Sequence, residues 1–327
     1  MNRFVQKLKI LGGSFKRLIN FSIKINPNLA IKLYFNDWEK FLVQSKESQF
    51  KVYKKQHIII EKYLIDKGYD RIIKDTIDKQ REIKVNNPQN LPIWICWWQG
   101  EENMPPIIKK CYNNIKKYAG KHPVHLITLR NVNEYITLPP SILEKFHAGK
   151  IKHAHLADLI RLKLIAKFGG LWIDSTVYLT SPIDEDLFYK SFYTIKNNPI
   201  DNKSVSQYRW CSFFIGGLPH NPYISAIEKA FETYIIKEKI FLHYLIIDYL
   251  IDIMYNNNNN FHQIIDNLKI TNPYMHWIGL HLNKKFSLKE FDTMNKNTTI
   301  YKTTYKGTLN ETTKEGNITY YGYIINN

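Results

Sequence analysis

The pattern of apolar and polar positions is most informative between residues 153 and 176, where it predicts a helix followed by a buried strand. Asp158 and Arg161 are three residues apart, so they share one face of the predicted helix. Two glycines follow, which is typical of a helix C-terminus. Three apolar residues then predict a short strand, and Asp174 stands directly after it. Because ligands of open α/β sheets bind at the carboxyl ends of strands, we expect the two acids and the arginine to surround one crevice.

Two further strands are predicted before this region. Residues 91–100 form an apolar run that ends in a turn, and residues 124–129 form a second one. A helix that begins after a pair of prolines connects them, so the order strand, helix, strand predicts the beginning of a βαβ layer. Trp97 and Trp98 are neighbours at the end of the first run, so they cannot both face one side of a strand.

The C-terminal half predicts more helices. Asn221 and Pro222 are a favourable cap and first helical residue, and the helix extends to about residue 239. A second helix is expected over residues 241–255. The asparagine run at 256–260 predicts a low-complexity loop. These elements predict an α/β protein with added helices.

The N-terminal stretch, residues 1–36, contains seven basic side chains and no acid. Apolar residues at positions 4, 8, 11, 15 and 18 repeat at helical spacing, which predicts an amphipathic helix with a cationic face. Such a helix either lies on an anionic membrane surface or docks on the body of the protein. The complete charge imbalance favours the membrane, whereas Gly12 and Gly13 weaken the helix.

Three segments are therefore expected along the chain. Residues 1–36 form the basic amphipathic segment, and residues 37–85 form a helical lead-in without candidate chemistry. A turn-rich break at residues 86–90 marks the beginning of the third segment, residues 86–327, which contains the predicted strands and the candidate crevice.

The composition limits the class of protein. A hydrophobic fraction of 44%, with 14% aromatic residues, supports a folded core in a chain of 327 residues. The net charge of +17 indicates either a polyanionic partner or a generally lysine-rich composition. No nucleic-acid-binding module accompanies the charge, so nucleic acid is not an expected partner. Three scattered cysteines and the lack of a signal peptide favour a reducing, cytoplasmic location.

Three sequence blocks, taken in order, resemble the capsular polysaccharide synthesis proteins. They are residues 93–100 (IWICWWQG), residues 155–161 (HLADLIR) and residues 169–176 (GGLWIDST). These proteins are bacterial glycosyltransferases related to the family 32 sugar transferases that carry a DXD motif. The resemblance covers roughly residues 90–310 and rests on the combination of the three blocks.

The resemblance implies a GT-A fold, which is a Rossmann-like α/β domain that binds a nucleotide sugar. It implies that Asp158 and Arg161 contact the nucleotide or the donor sugar, and that Asp174 is the first acid of the DXD-like motif. Lys302 and Lys306 match basic positions near the C-terminal end of the family's sequences, and the resemblance implies that they lie near the diphosphate. The residues expected to bind the nucleotide sugar are Ile95, Trp97, Gln99, Asp158, Arg161, Gly170, Asp174, Thr176, Lys302 and Lys306.

One position departs from the family pattern. Thr176 stands where a complete motif has its second acid, and a hydroxyl is a poor ligand for Mg²⁺ or Mn²⁺. Either a divalent cation binds through Asp174 and a later group, or Lys302 and Lys306 substitute for the metal. Retention of the anomeric configuration is implied by the resemblance alone, and no catalytic nucleophile or base is identified.

Two functions remain open at this point. The first is a glycosyltransferase that moves a sugar from a nucleotide-sugar donor to a lipid-linked oligosaccharide, peripherally bound at the inner face of the cell membrane. The second is a non-catalytic relative that binds a polysaccharide or an assembly partner, which the incomplete motif favours. For the site itself, Asp158 and Arg161 alone are also compatible with an ordinary surface ion pair, and Asp174 with a turn cap.

Overall fold

The computed structural model describes residues 3–43, 45–80, 91–198 and 203–327, with side chains from residue 12 onward. The predicted break at residues 86–90 and the apolar side chains at positions 4, 8 and 11 lie outside this description. In the described residues the helices are Arg3–Lys24 (α1), Pro27–Leu42 (α2), Lys46–Asp66 (α3), Tyr69–Lys79 (α4), Pro106–Tyr118 (α5), Val132–Tyr135 (α6), Pro140–His147 (α7), His153–Phe168 (α8), Pro222–Lys237 (α9), Ile246–Asn257 (α10), Asn259–Asp266 (α11), Trp277–His281 (α12), Leu288–Asn295 (α13) and Tyr320–Asn326 (α14).

A mixed sheet forms the centre of the molecule. The strands are Ile93–Cys96 (β1), Val124–Ile127 (β2), Gly170–Ile173 (β3), Val177–Leu179 (β4), Phe192–Thr194 (β5), Phe214–Gly217 (β6) and Ile300–Lys302 (β7). Across the described residues the main sheet has the order β2-β1-β3-β6-β5, and β4 pairs with β7 separately. Strands β2, β1 and β3 are parallel to one another, whereas β6 pairs antiparallel with β3, and β5 pairs antiparallel with β6. The predicted βαβ layer is therefore confirmed, and the sheet is consistent with a Rossmann-like fold.

The sheet separates two apolar cores. Along β1, Ile93 and Ile95 face one core while Trp94 faces the other, as the period of two requires. Beyond the strand, Trp97 packs at the edge of the first core and Trp98 at the edge of the second, which confirms that they face opposite sides. The N-terminal helices contribute buried residues to the core that contains Trp94.

The junction between α8 and β3 is unusually tight. Gly170 has a φ of +93°, and a Cβ atom at this position would lie 2.0 Å from the carbonyl oxygen of Pro92. Only glycine combines this backbone conformation with so close an approach. The junction brings the end of α8 directly against the beginning of β3, so residues of both elements can meet at one place.

Two predictions for the C-terminal half are wrong, one on where a helix begins and one on a loop. The helix expected over residues 241–255 begins only at Ile246, because Phe241 stacks on His155 and the Leu242 N–H donates to the Tyr234 hydroxyl at 2.9 Å. The asparagine run is largely helical rather than a loop. It ends α10 and begins α11, and Asn258 between them caps α11 by accepting from the Phe261 N–H at 2.9 Å.

The basic N-terminal stretch forms two helices instead of one. Asn26 accepts from the Leu29 N–H, and Pro27 occupies the first position of α2, so a new helix begins there. Helix α1 continues through Gly12 and Gly13 despite their low helix propensity. None of the helices described has an apolar stretch sufficient to cross a bilayer.

Candidate active site

A cleft of about 540 Å³ lies at the carboxyl ends of β1 and β3, and we refer to it as the central cleft. Four stretches of the chain supply most of its polar side chains. They are residues 97–99 after β1, one face of α8, residues 174–176 after β3, and residues 302–306 at the end of β7. Ligands bind at this edge in open α/β sheets, so the position agrees with the expected crevice.

Asp174 lies at the centre of the polar contacts. Its Oδ1 accepts from the Trp172 indole N–H at 2.8 Å and from Arg161 Nη2 at 3.3 Å. Its Oδ2 accepts from the Lys302 ammonium group. Burial alone would raise the pKa of Asp174, but Lys302 and Arg161 outweigh this effect and hold the pKa below its usual range. Asp174 is therefore a carboxylate whose charge is compensated by cations of the chain itself.

Arg161 connects the two acids of the cleft. Its Nη2 also contacts Asp158 Oδ1 at 3.1 Å, and its Nη1 donates to the carbonyl of Ser212. The guanidinium group lies 5.0 Å from the centre of the Trp172 ring. Only 6% of the Arg161 side chain and 16% of the Asp158 side chain are exposed, so this is not a solvated surface ion pair.

Asp158 has a different electrostatic environment from Asp174. Burial raises its pKa to about 7, and Arg161 opposes the shift without cancelling it. Asp174, the next acid along the cleft, favours the neutral form of Asp158 further. The cleft thus contains one acid that is ionised and one that titrates near neutral pH.

Lys302 reaches Asp174 through strand pairing. In the antiparallel pair of β4 and β7, Lys302 is opposite Val177, three residues after Asp174. The Lys302 backbone N–H donates to the carbonyl of Met275 at 2.7 Å. Helix α12 approaches so closely that a Cβ atom on Gly279 would lie 2.5 Å from the Lys302 carbonyl oxygen. The ammonium group is also 4.9 Å from the centre of the Phe213 ring, so its position is defined on several sides.

Most of the residues predicted from the sequence line this cleft. The lining residues among them are Trp97, Gln99, Asp158, Arg161, Asp174, Thr176, Lys302 and Lys306. Two of the predicted residues do not line it. Ile95 is fully buried within β1, and Gly170 is buried at the tight junction with Pro92.

Two aromatic residues that line the cleft were not among the site residues predicted from the sequence. Tyr305 is 42% exposed, and its ring lies edge-to-face with Trp97 at 5.3 Å. Its position between Lys302 and Lys306 was a usable signal, because an exposed aromatic among cations is typical of a binding surface. Tyr244 is 55% exposed and also lines the cleft, but it falls in the wrongly predicted helix, where nothing distinguished it.

The residues of the cleft do not fit a resident divalent cation. Mg²⁺ and Mn²⁺ prefer carboxylate and water oxygens, but both oxygens of Asp174 already face cationic donors. Thr176 supplies only a hydroxyl where a second acid would stand. In the part of the chain that the structure describes, no group of three or more His, Cys, Asp or Glu side chains is arranged to hold a metal ion.

Two curated proteins are similar to part of the chain. The O-glycosyltransferase braB of Annulohypoxylon truncatum is 28% identical over 102 residues, which cover 28% of this chain and 24% of that protein. Glucan organizing enzyme 1 of Cryptococcus neoformans var. grubii serotype A is 26% identical over 106 residues, which cover 32% of this chain and 29% of that protein. The similarity therefore spans less than a third of either relative.

The family comparison covers much more of the chain. The family model described as capsular polysaccharide synthesis protein matches residues 40–324. This match includes α3, α4 and the whole of the central cleft, and it confirms the resemblance that the three sequence blocks predicted. The chain belongs to the capsular polysaccharide synthesis protein family.

Proposed function

We propose that the chain is a glycosyltransferase of GT-A type, and that the central cleft binds a nucleotide-sugar donor. One observation carries the proposal: Asp158 and Arg161 of α8, Asp174 after β3 and Lys302 of β7 meet at the carboxyl ends of parallel strands. Carboxylates accept hydrogen bonds from sugar and ribose hydroxyls, and cations compensate a diphosphate. The name of the relative braB, O-glycosyltransferase, supports the same class of reaction.

Each wall of the cleft would then bind one part of the donor. Asp158, held by Arg161, accepts hydrogen bonds from donor hydroxyls. Trp97 and Tyr305 offer aromatic surface to the nucleobase. Lys302 and Lys306 lie beside the diphosphate, where their charge stabilises the leaving group.

The proposed reaction is transfer of a hexose. The bond between the anomeric carbon and the diphosphate oxygen breaks, and the electron pair leaves with the diphosphate. A bond forms between the anomeric carbon and a hydroxyl oxygen of the acceptor, and the proton of that hydroxyl passes to the departing diphosphate. Retention of the anomeric configuration is part of the proposal and rests on the resemblance to family 32, so the stereochemistry of the product tests it directly.

We further propose that the diphosphate is neutralised by side chains rather than by Mn²⁺ or Mg²⁺. The Lys302 ammonium group already donates to Asp174 Oδ2, the carboxylate oxygen to which a metal bound by the motif would coordinate. Because the Lys302 ammonium group is covalently attached to the protein, it supplies positive charge without an ion that can dissociate. Donor binding should consequently persist in the presence of a chelator.

The acceptor in this proposal is a lipid-linked saccharide used in bacterial capsular or extracellular polysaccharide synthesis. Family membership supports the pathway class, and the acid-free basic N-terminus is compatible with an acceptor held in the inner face of the cell membrane.

A second candidate function is non-catalytic binding of a polysaccharide or assembly partner. The observation that favours it is the combination of Thr176 with an Asp174 that is already neutralised by Arg161 and Lys302. This alternative predicts a cleft that binds saccharide but does not release nucleotide from any donor.

The deciding experiment measures nucleotide release from a panel of nucleotide sugars, in EDTA and in Mn²⁺, together with thermal shifts. We expect at least one donor to be turned over and to raise the melting temperature. Asp174→Asn should reduce both effects, whereas Asp186→Asn, an exposed aspartate outside the cleft, should leave them unchanged. No turnover and no thermal shift with any donor would overturn the enzyme proposal.

A further inference from the structure

Helices α1 and α2 present a row of apolar side chains to solvent, and we refer to this row as the hairpin face. On α1 the residues are spaced by four, so they project from one side of the helix. Their exposed fractions lie between 44% and 75%. The residues of the hairpin face are Phe15, Ile19 and Ile23 on α1, and Ile31, Phe35 and Leu42 on α2.

The opposite sides of the same helices are firmly packed. Phe21 of α1 and Leu33 of α2 belong to the buried core, where they are 6% and 1% exposed. Between the helices, Arg17 contacts Asp37 at 2.9 Å and Ser14 donates to Asp37 at 3.2 Å. The two helices therefore have a fixed orientation, and the exposed row is the outer side of a docked pair.

Aromatic rings connect the two halves of the row. The Tyr34 ring lies 6.5 Å from Phe15 on α1, and 6.0 Å and 6.2 Å from its α2 neighbours Phe35 and Trp38. Tyrosine and tryptophan are enriched where a protein meets the interface between lipid and water, because one end of each ring system is apolar and the other is polar. Tyr34 thus joins the α1 and α2 parts of the row, whereas scattered single apolar residues would need no explanation.

The charges around the row are mainly basic. Lys16, Lys24 and Lys32 are exposed on the same two helices, whereas the acids of α2, Asp37 and Glu39, are paired with Arg17 and Lys55. In a symmetric contact between two copies, each basic patch would face its own duplicate. An anionic lipid surface instead satisfies the apolar row and the lysines together.

We propose that the hairpin face inserts into the interfacial region of an anionic membrane leaflet. The apolar side chains enter the boundary between headgroups and acyl chains, and the flanking lysines contact the lipid phosphates. This docking does not depend on the proposed sugar transfer. A membrane-bound protein without transferase activity and a transferase that does not bind membranes are both distinguishable outcomes.

The test is co-sedimentation of the 327-residue chain with vesicles of phosphatidylcholine alone or mixed with phosphatidylglycerol, at low and high salt. We expect binding only to the mixed vesicles and a loss of binding at high salt. The double substitution Ile23→Ser with Phe35→Ser should weaken partitioning by about tenfold, since both side chains are mostly exposed in the free protein. The matched control is Ile270→Ser with Leu288→Ser, two exposed apolar residues elsewhere, which should bind as wild type.

A series of lysine substitutions separates the electrostatic contribution to membrane binding from the apolar contribution. Replacing Lys16, Lys24 and Lys32 by glutamine should reduce binding to the mixed vesicles by about fivefold for each residue, with a weaker salt dependence. Equal sedimentation of the Ile23→Ser with Phe35→Ser variant and its control would overturn the proposal. So would a wild-type dimer in solution that this variant converts to a monomer, because a second copy would then cover the hairpin face.

Discussion

Replacing Lys302 with methionine tests how the central cleft compensates the charge of a donor diphosphate. Methionine retains an unbranched side chain but has no ammonium group. Asp174 would keep its contacts with Trp172 and Arg161 and lose the cation on Oδ2. The pKa of Asp174 should therefore rise, because Lys302 is the strongest of the groups that lower it.

The expected size of the effect follows from the burial of the pair. The Lys302 and Asp174 side chains are 23% and 26% exposed, so solvent screens them less than a surface pair. A hydrogen bond that involves a charged group contributes about 1.5–3 kcal/mol. The variant loses that attraction toward a diphosphate and leaves the carboxylate less compensated. We expect the affinity for nucleoside diphosphates to fall roughly 10- to 100-fold, since about 1.4 kcal/mol is tenfold.

Isothermal titration calorimetry with a panel of nucleoside diphosphates, in EDTA and then in Mn²⁺, measures this effect. Mn²⁺ should not change the wild-type affinity. In Lys302→Met it should restore part of the loss, because Asp174 Oδ2 becomes available to a metal. Lys289→Met removes an exposed lysine outside the cleft and serves as the control. A wild-type protein that requires Mn²⁺, or a Lys302→Met affinity equal to that of the control, would refute the reasoning.

Three further predictions concern neighbouring positions. Thr176→Asp completes the acidic motif, so calorimetry with Mn²⁺ alone should detect binding that wild type lacks; no binding to the variant would contradict this. Because burial raises the pKa of Asp158 from 3.8 to about 7, its contribution to stability is complete below pH 4 and is lost as the pH rises to 7. In urea unfolding across this range, the free energy of unfolding of the wild type should fall by up to about 1.4 kcal/mol per pH unit, and Asp158→Asn should remove this decline. Equal slopes for both proteins would contradict the prediction. Gly170→Ala, which places a Cβ against Pro92, should cost about 1–3 kcal/mol more in the same assay than Gly307→Ala, which has a similar positive φ but open space; equal losses would show that the contact relaxes.

The parts of the fold that could be predicted are those encoded by local patterns. The strand, helix, strand order of β1, α5 and β2 follows from apolar runs separated by turn residues. The beginning of α9 follows from Asn221 and Pro222, since asparagine caps a helix and proline fits its first turn. In each case the determining residues are adjacent in sequence, so no knowledge of tertiary contacts is needed.

The segment before α10 shows where such patterns fail. Its apolar residues suggest a longer helix, but Phe241 stacks on His155 of α8 with the ring centres 3.8 Å apart. That stacking buries the ring without helical backbone, and the pattern of apolar positions does not distinguish the two solutions. Tyr244 reaches the wall of the central cleft because this segment is not helical. A missed site residue and a wrong helix boundary thus have the same physical cause.

The contact between Lys302 and Asp174 could not be predicted for a different reason. The two residues are 128 positions apart, and their meeting depends on the register of β4 with β7, in which Lys302 is opposite Val177. The register is supported by Thr303, whose N–H and hydroxyl both donate to the carbonyl of Thr176, at 2.8 Å and 2.7 Å. Shifting it by one residue would turn the lysine to the other face of β7 and leave Asp174 with Trp172 and Arg161. Thr176, the residue that departs from the family motif, therefore helps to hold Lys302 in place through its backbone carbonyl. Lys302 is the cation that we propose takes the place of a metal.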